Sequence, residues 1–344
     1  MSGETPKTPL DAFDYQLPEE SIAQVPIEPR SAARLLVAIE PDGGVEHLHV
    51  TDLPSLLGVG DVLVVNETRV RKARLHLHKE TGGRVEVLLL APHRPGAPDE
   101  WEALVRPARR LRPGTLLYAG DTDPASPVVE VGRPLEDGTR LIRVLDPAAT
   151  DRHGSVPLPP YIHEELHDPE RYQTVYARAE SSAAAPTAGL HFTTELLEQC
   201  RAAGARIETI ELAVGLDTFR PISADYIEDH VMHSERYRVP QSTIEACHQA
   251  RRVIAVGTTA LRALETVAAG GALEGSTELY VHGGYRFGLV DVLMTNFHLP
   301  RSSLLVLVEA FAGPRWRSLY QLALEKRYRF LSFGDAMLLG RPKS

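Results

Sequence analysis

Apolar and polar positions follow two different patterns along this chain of 344 residues. Up to about residue 70, and again from Gly154, short apolar runs alternate with stretches of helical periodicity, the pattern of an α/β domain. Between Val70 and about Asp146, apolar and polar residues alternate and no helical period is present, which predicts antiparallel strands. We therefore predict one discontinuous α/β domain, with a smaller β domain inserted between two of its strands.

The same patterns predict individual elements. Strands are expected at 34–39, 45–49, 62–65, 74–78, 84–90, 101–105, 206–212, 252–256, 279–281 and 289–294. Helices are expected at 193–203, 260–269 and 316–328, and from Ser302 or Ser303 to Gly313. A short helix is expected to begin with Asp52 as its cap, and another with a capping box formed by Ser242 and Glu245.

Composition limits the class of protein. Hydrophobic residues make up 43% and charged residues 24% of the chain, as in ordinary globular proteins. No apolar run reaches membrane-spanning length, and the first residues lack the pattern of a signal peptide. Two cysteines, Cys200 and Cys247, form no disulfide framework. We expect a cytoplasmic monomer without membrane association. The net charge of −9 argues against general coating of nucleic acid but leaves room for a local basic patch.

Three loops beside predicted helix starts concentrate useful chemistry. The stretch AAAPTAGLHF (183–192) brings backbone N–H groups and His191 before a helix, although a core turn with a satisfied histidine is an alternative. Gly257-Thr258-Thr259 joins a strand to a helix, whose N-terminus can bind a carboxylate or phosphate; the threonines are otherwise only caps. TNFHLPRS (295–302) is richer in polar side chains than a structural turn requires.

Other polar clusters are less specific. The stretch EDHVMHSE (228–235) has no zinc-site spacing, so we expect no metal there and favour Glu235 or a histidine as a general acid or base. The pair His76 and His78 shares one strand face and is expected to face solvent. Basic runs at 69–74 and 106–112 are normally solvated faces, but in an acidic protein they are where a polyanion would bind. Neither a P-loop nor a GxGxxG motif is present.

Many stretches match one family in register. They are FDYQLPEESIAQVPIEPR (13–30), NETRV (66–70), GGRVEVLLL (82–90), WEALVRPARRLRPG (101–114), VPLPPYI (156–162), RYQTVYA (171–177), AAPTAGLHFT (184–193), VGLDTFRPI (214–222), HVMHSERY (230–237), VIAVGTTALRALE (253–265), GYRFGLVDVLMTNFHLPRSSLL (284–305) and FGDAMLL (333–339). Nearly end to end, the chain resembles the S-adenosylmethionine:tRNA ribosyltransferase-isomerase family of queuosine biosynthesis.

The resemblance implies a fold and a reaction. The fold is a large α/β barrel-like domain, here residues 1–69 and 152–344, with a smaller antiparallel β-barrel domain inserted at 70–151. The reaction moves the ribosyl part of S-adenosylmethionine onto the 7-aminomethyl-7-deazaguanine of a tRNA, giving epoxyqueuosine, adenine and methionine. S-adenosylmethionine would then be a substrate, tRNA a partner, and no resident cofactor or metal is expected.

This reaction needs proton-transfer groups and an anion site for the methionine carboxylate. We predict His191, then Glu235 and His298, for proton transfer, and Gly257-Thr258-Thr259 with Arg262 for the carboxylate. The remaining predicted substrate-binding residues are Pro186, Thr187, Gly189, Asn66, Arg69, Tyr285, Arg286, Asn296, Arg301 and Asp217.

Some residues depart from the family pattern. Ala213 stands where a histidine is expected and Asp217 where a glycine is expected. Ser181, Glu67 and Lys72 replace a usual glycine, aspartate or asparagine, and proline. These departures leave open a related enzyme that acts on S-adenosylmethionine itself or on a small amine. A non-catalytic nucleotide- or RNA-binding protein is a third hypothesis, from a different class.

Overall fold

The computed structural model describes residues 7–40, 43–94, 96–120, 126–135, 138–215 and 222–342. The chain forms two compact units, Met1–Arg69 with Pro159–Ser344, and Val70–Leu158. The sequence placed the corresponding boundaries at 69/70 and 151/152. The predicted fold class is confirmed, because one unit is α/β with a large mixed sheet and the other is a closed antiparallel barrel.

The strands and helices are numbered here in chain order. The strands are β1 (Arg34–Ala38), β2 (Glu46–His49), β3 (Asp61–Asn66), β4 (Thr68–Val70), β5 (Arg74–Lys79), β6 (Arg84–Pro92), β7 (Glu100–Arg106), β8 (Thr115–Tyr118), β9 (Val129–Pro134), β10 (Arg140–Val144), β11 (Gly154–Ser155), β12 (Ala179–Ser182), β13 (Arg206–Leu212), β14 (Glu235–Arg238), β15 (Arg252–Val256), β16 (Glu274–Thr277), β17 (Val292–Asn296) and β18 (Ala336–Gly340). The helices are α1 (Ala149–His153), α2 (Thr194–Ala202), α3 (Gln241–Gln249), α4 (Thr258–Ala268), α5 (Ser303–Ala312) and α6 (Trp316–Glu325).

The larger unit is built on a nine-stranded sheet in the order β16-β14-β13-β3-β15-β17-β18-β1-β2. Its centre, β13-β3-β15-β17, is parallel, and β18 runs antiparallel to β17. Alternate residues of β3 belong to different cores: Val62 and Val64 pack in one, Leu63 and Val65 in the other. Both faces of the central strands are therefore covered, which explains why these strands are apolar throughout.

The smaller unit is a barrel. Strands follow the order β5-β6-β7-β10-β9-β8, and β8 pairs with β5 to close the ring, with β11 added to β5. Inward side chains such as Leu75, Val87 and Val105 are buried, whereas their polar neighbours along each strand point outward. This alternation is the pattern from which antiparallel strands were predicted.

The helix ends agree with several predictions and correct others. The side chain of Ser302 caps α5 by accepting the N–H of Leu305 at 3.2 Å, as expected, and α5 ends at Gly313. The capping box at Ser242 is wrong, because Pro240 precedes the first helical residue and Ser242 lies inside α3. Asp52 lies in the first turn of a 3-10 helix (Val50–Leu56) and accepts the N–H of His49, the true cap residue.

The predicted strand at 279–281 is also wrong. The strand in this region is β16, which pairs antiparallel with β14 at the edge of the sheet. Three of its four residues are exposed, so apolar alternation could not reveal it. Among the described residues, none of the helices combines the length and the apolar character needed to cross a bilayer.

Candidate active site

A pocket in the larger unit lies where the parallel strands end. Strands β15 and β17 run in the same direction, so their carboxyl ends lie at one edge of the sheet, the usual place for ligands in α/β proteins. The described lining residues come mainly from the three loops singled out in the sequence and from two segments beside them. They are Tyr161, Ala185, Pro186, Thr187, Ala188, Val214, Gly257, Thr258, Thr259, Thr295, Asn296, Phe297, His298, Leu299, Ser302, Leu304, Leu331 and Ser332.

The N-terminus of α4 opens into this pocket without a side-chain cap. Gly257 is the cap residue, with φ of +90°, a conformation that other residues rarely adopt. Thr258 and Thr259 form the first turn and are 7% and 8% exposed. The hydroxyl of Thr259 is buried and has no hydrogen-bond partner among the described residues. An uncapped helix start with a partnerless buried donor is suited to an anionic group.

His298 is the histidine that lines the pocket in the described structure. Its Nε2 lies 2.9 Å from the hydroxyl of Thr295, and its backbone N–H donates to Tyr320 at 3.0 Å. Burial lowers the pKa of His298 to about 3. The ring is therefore neutral at physiological pH, which suits a hydrogen-bond donor or acceptor better than a strong base.

Hydrogen bonds connect the loop 183–192 to the end of β17 and to the segment before β18. Thr187 donates to Oδ1 of Asn296 at 2.9 Å, and the amide of Asn296 donates to the carbonyl of Leu331 at 3.2 Å. The ring nitrogens of His191 lie 3.1 Å from the carbonyl of Ala188 and 2.8 Å from that of Gly334. His191 is thus buried behind the pocket wall, and both ring nitrogens contact backbone.

Glu235 of β14 and Arg262 of α4 form a buried ion pair. Glu235 also accepts the N–H of Gly215 at 3.2 Å, and Arg262 donates to the carbonyl of Leu279 at 2.9 Å. Neither side chain is among the described pocket-lining residues. The structure therefore brings the two predicted residues together, but as partners of each other.

Four other predicted residues have structural contacts away from the pocket lining. Asn66 joins β3 to β13 by bonding both the N–H and the carbonyl of Leu212. Gly189 is required by packing, because an added Cβ would lie 2.0 Å from the hydroxyl of Tyr176. Arg69 pairs with Glu170, and Arg301 pairs with Asp11 at 3.1 Å near the surface.

Tyr285 and Arg286 belong to a loop held by a residue that the sequence did not identify. The buried carboxylate of Glu265 accepts the N–H groups of Gly288, Leu289 and Val290 at 2.7 to 3.1 Å. Tyr285 reaches the same carboxylate at 3.4 Å, whereas Arg286 is exposed. The signal available in the sequence was a glutamate in the largely apolar helix segment predicted at 260–269.

The described residues that depart from the family pattern lie outside the pocket lining, whereas three residues that were not predicted belong to it. Asp217 lies outside the described residues. Ala213 donates its N–H to the carbonyl of Arg236, and Ser181 belongs to β12. Tyr161, Leu331 and Ser332 line the pocket although no motif marked them as site residues. Over the ranges that the structure describes, no group of three or more His, Cys, Asp or Glu side chains is arranged to hold a metal ion.

Fold and pocket together define an α/β enzyme with an inserted antiparallel barrel and a pocket suited to an anionic group. The family model described as queuosine biosynthesis protein matches residues 10–339, and the chain belongs to this family.

Curated relatives agree over almost their whole length. The chain is 51% identical to the S-adenosylmethionine:tRNA ribosyltransferase-isomerase of Rubrobacter xylanophilus, covering 96% of this chain and 97% of the relative. It is 48% identical to the protein of the same name from Desulfitobacterium hafniense, covering 96% and 99%. The crystal structure of the S-adenosylmethionine tRNA ribosyltransferase of Thermotoga maritima is similar at a TM-score of 0.54 and 35% identity, covering 95% of this chain and 99% of that one.

Proposed function

We propose that this protein transfers and isomerises the ribosyl part of S-adenosylmethionine onto the 7-aminomethyl-7-deazaguanine of a tRNA. The product is epoxyqueuosine, and adenine and methionine leave. S-adenosylmethionine is consumed as a substrate, and the proposal needs neither a resident cofactor nor a metal. The names of relatives about half identical over almost the whole chain support this reaction.

The observation that carries the proposal is the convergence of three matching stretches on one pocket. Residues of AAAPTAGLHF, of VGTTALR and of TNFHLPRSS are separate in the sequence, yet all line the same cavity. A substrate with both a carboxylate and a base requires contacts from several elements at once. The carboxyl edge of the sheet supplies them.

We assign the methionine carboxylate to the N-terminus of α4. The free N–H groups of the first turn carry partial positive charge, and the partnerless hydroxyl of Thr259 can donate to the same anion. Arg262 is already paired with Glu235, so it supports α4 rather than contacting the carboxylate. This assignment differs from the sequence prediction, which joined Arg262 to the anion site.

We assign His298 to the leaving adenine. A neutral imidazole fixed by Thr295 can share a hydrogen bond with a ring nitrogen of the departing base without changing charge. His191 and Glu235 stay candidates for proton transfer, each having first to exchange a contact described above. Removal of a C5′ proton beside the sulfonium is the step that needs such a base.

One experiment tests the reaction. The protein is incubated with S-adenosylmethionine, with and without tRNA carrying 7-aminomethyl-7-deazaguanine, and adenine is quantified. Release that depends on the modified tRNA is the expected result. Release without tRNA would favour an enzyme acting on S-adenosylmethionine or on a small amine. No release in either mixture would contradict the proposed reaction.

The location of the reaction follows from its substrate. Because tRNA is modified inside the cell, we propose a cytoplasmic site of action, where the buried and unpaired Cys200 and Cys247 would stay reduced. We also propose that the monomer is the active form. Gel filtration combined with the adenine assay tests the second statement.

A further inference from the structure

The two units of the chain differ in charge. Residues 70–158 contain 14 lysines and arginines against 12 aspartates and glutamates, a net charge of +2. The remaining residues contain 23 against 34, a net charge of −11. The barrel is therefore the part of an acidic protein where a polyanion meets the least repulsion.

One surface of the barrel carries two arginines and two histidines. A depression on its surface is lined by His76, His78, Arg84, Glu86 and Arg106, together with Leu77, Gly82, Val85 and Gly120. We call this surface the barrel groove. His76 lies opposite Glu86, and Glu86 lies opposite Arg106, so this row crosses the adjacent strands β5, β6 and β7. His76, Arg84 and Arg106 are exposed.

The arginines of the barrel groove differ from three ion-paired arginines of the same unit, Arg94, Arg143 and Arg152. Arg94 pairs with Glu100 at 2.9 Å, and Arg143 pairs with Asp99 at 3.0 Å. Arg84 and Arg106 have no carboxylate within 4.0 Å among the residues that the structure describes. Their guanidinium groups keep full hydrogen-bonding capacity toward a partner, and guanidinium matches phosphate geometry well.

We propose that the barrel groove binds the phosphate backbone of the substrate tRNA, with Arg84 and Arg106 as the principal contacts. This inference rests on the proposed function for the identity of the RNA. Contacts of this type position an RNA without reading its sequence. Glu86 lies between His76 and Arg106 in this row, and its carboxylate would repel the same phosphates. Its charge therefore weakens the binding that the arginines provide.

The test measures the dissociation constant for tRNA carrying 7-aminomethyl-7-deazaguanine at several salt concentrations. The slope of log affinity against log salt is negative, and each lost phosphate contact reduces its magnitude by about 0.7 to 0.9. For the Arg84→Gln, Arg106→Gln double variant we expect about 10-fold weaker binding and a slope that is shallower by about 1.5. The KM for S-adenosylmethionine should stay unchanged, which also shows that the variant is folded.

Two further variants distinguish a specific effect of the groove from a general loss of charge or of folding. The matched control Arg94→Gln, Arg143→Gln removes the same charge from ion-paired arginines and should change tRNA affinity less than twofold. Glu86→Gln should tighten tRNA binding about two- to threefold, a gain that misfolding cannot produce. Unchanged affinity and slope in the groove variant, an equal loss in the control, or weaker binding by Glu86→Gln would each overturn the proposal.

The outcome is separable from that of the proposed reaction. Adenine release by the wild-type protein tests the reaction, whichever surface of the protein binds the tRNA. A wild-type protein that binds the tRNA but releases no adenine contradicts the reaction, while the variants still decide where the RNA binds. A wild-type protein that turns over normally, with the groove variant keeping its KM for tRNA, contradicts the groove.

Discussion

Removing the hydroxyl of Thr259 tests the anion site most directly. Thr259→Val keeps the shape and the β-branch of the side chain and deletes only one donor. A hydrogen bond to a charged group is worth about 1.5 to 3 kcal/mol. At 1.4 kcal/mol for each factor of ten, the KM for S-adenosylmethionine should rise about 10- to 150-fold. Since the contact holds the methionine part and not the reacting carbons, kcat should change little.

The same substitution should leave the free energy of unfolding unchanged or slightly raised. The hydroxyl is buried and has no partner in the described structure, so its loss removes a desolvation cost and no hydrogen bond. Thr243→Val is the matched control, because that buried hydroxyl donates to the carbonyl of Thr209 at 2.9 Å. The control should lose about 1 kcal/mol of stability with no change in KM.

The assay combines initial rates of adenine release with urea denaturation. Decarboxylated S-adenosylmethionine completes a double-mutant-type cycle, in which the residue and the substrate group are removed separately and together. This analogue has no carboxylate, so it makes no contact that the substitution of Thr259 could remove. Wild-type protein and Thr259→Val should then bind this analogue equally. An unchanged KM for S-adenosylmethionine in Thr259→Val, or an equal effect of the substitution on both substrates, would refute the placement of the carboxylate.

Three further outcomes follow from the contacts of the site. Adenine release should fall more than 10-fold in His191→Ala, which removes both contacts of the ring with the backbone. Intact turnover would exclude His191 as a group that the reaction needs. Glu265→Gln should lower the unfolding free energy by about 3 kcal/mol, because an amide turns a donor toward backbone N–H groups; an unchanged urea midpoint would contradict this. The folded pKa of His298, about 3, lies below its unfolded value of about 6.5, so stability should fall as pH drops from 6.5; His298→Asn should flatten this urea-midpoint profile.

The central strands could be predicted because their physical cause is local. Strands β3 and β15 are buried on both faces, so each of their residues is selected to be apolar, and the runs 62–65 and 252–256 are recognisable. Strand β16 could not be predicted in this way. It is an exposed edge strand, and its pairing with β14 depends on residues 36 to 42 positions away in the chain.

The pocket loops were predictable for a related reason. A buried strand that ends in glycine, threonine or asparagine before a helix marks the carboxyl edge of a sheet, as at Gly257 and Asn296. The partners of the charged residues were not predictable. Glu235 and Arg262 are 27 residues apart, and only the tertiary fold decides that they neutralise each other. Tyr161 lies in the matching stretch 156–162, but neither it nor Ser332 was predicted as a site residue, because both enter the pocket through the chain path alone.

The described pocket contains no lysine, arginine, aspartate or glutamate in its lining, although the proposed substrate carries a sulfonium and a carboxylate. The charged side chains lie one layer behind, where Glu235 with Arg262 and Glu265 with backbone N–H groups hold α4 and the loop at 285–290. Helix N-termini and neutral polar groups then face the substrate. Such dipoles are fixed in position before binding, so they stabilise charge without reorganising during the reaction. The fixed geometry of α4 is therefore as important to the proposed chemistry as any single titrating residue.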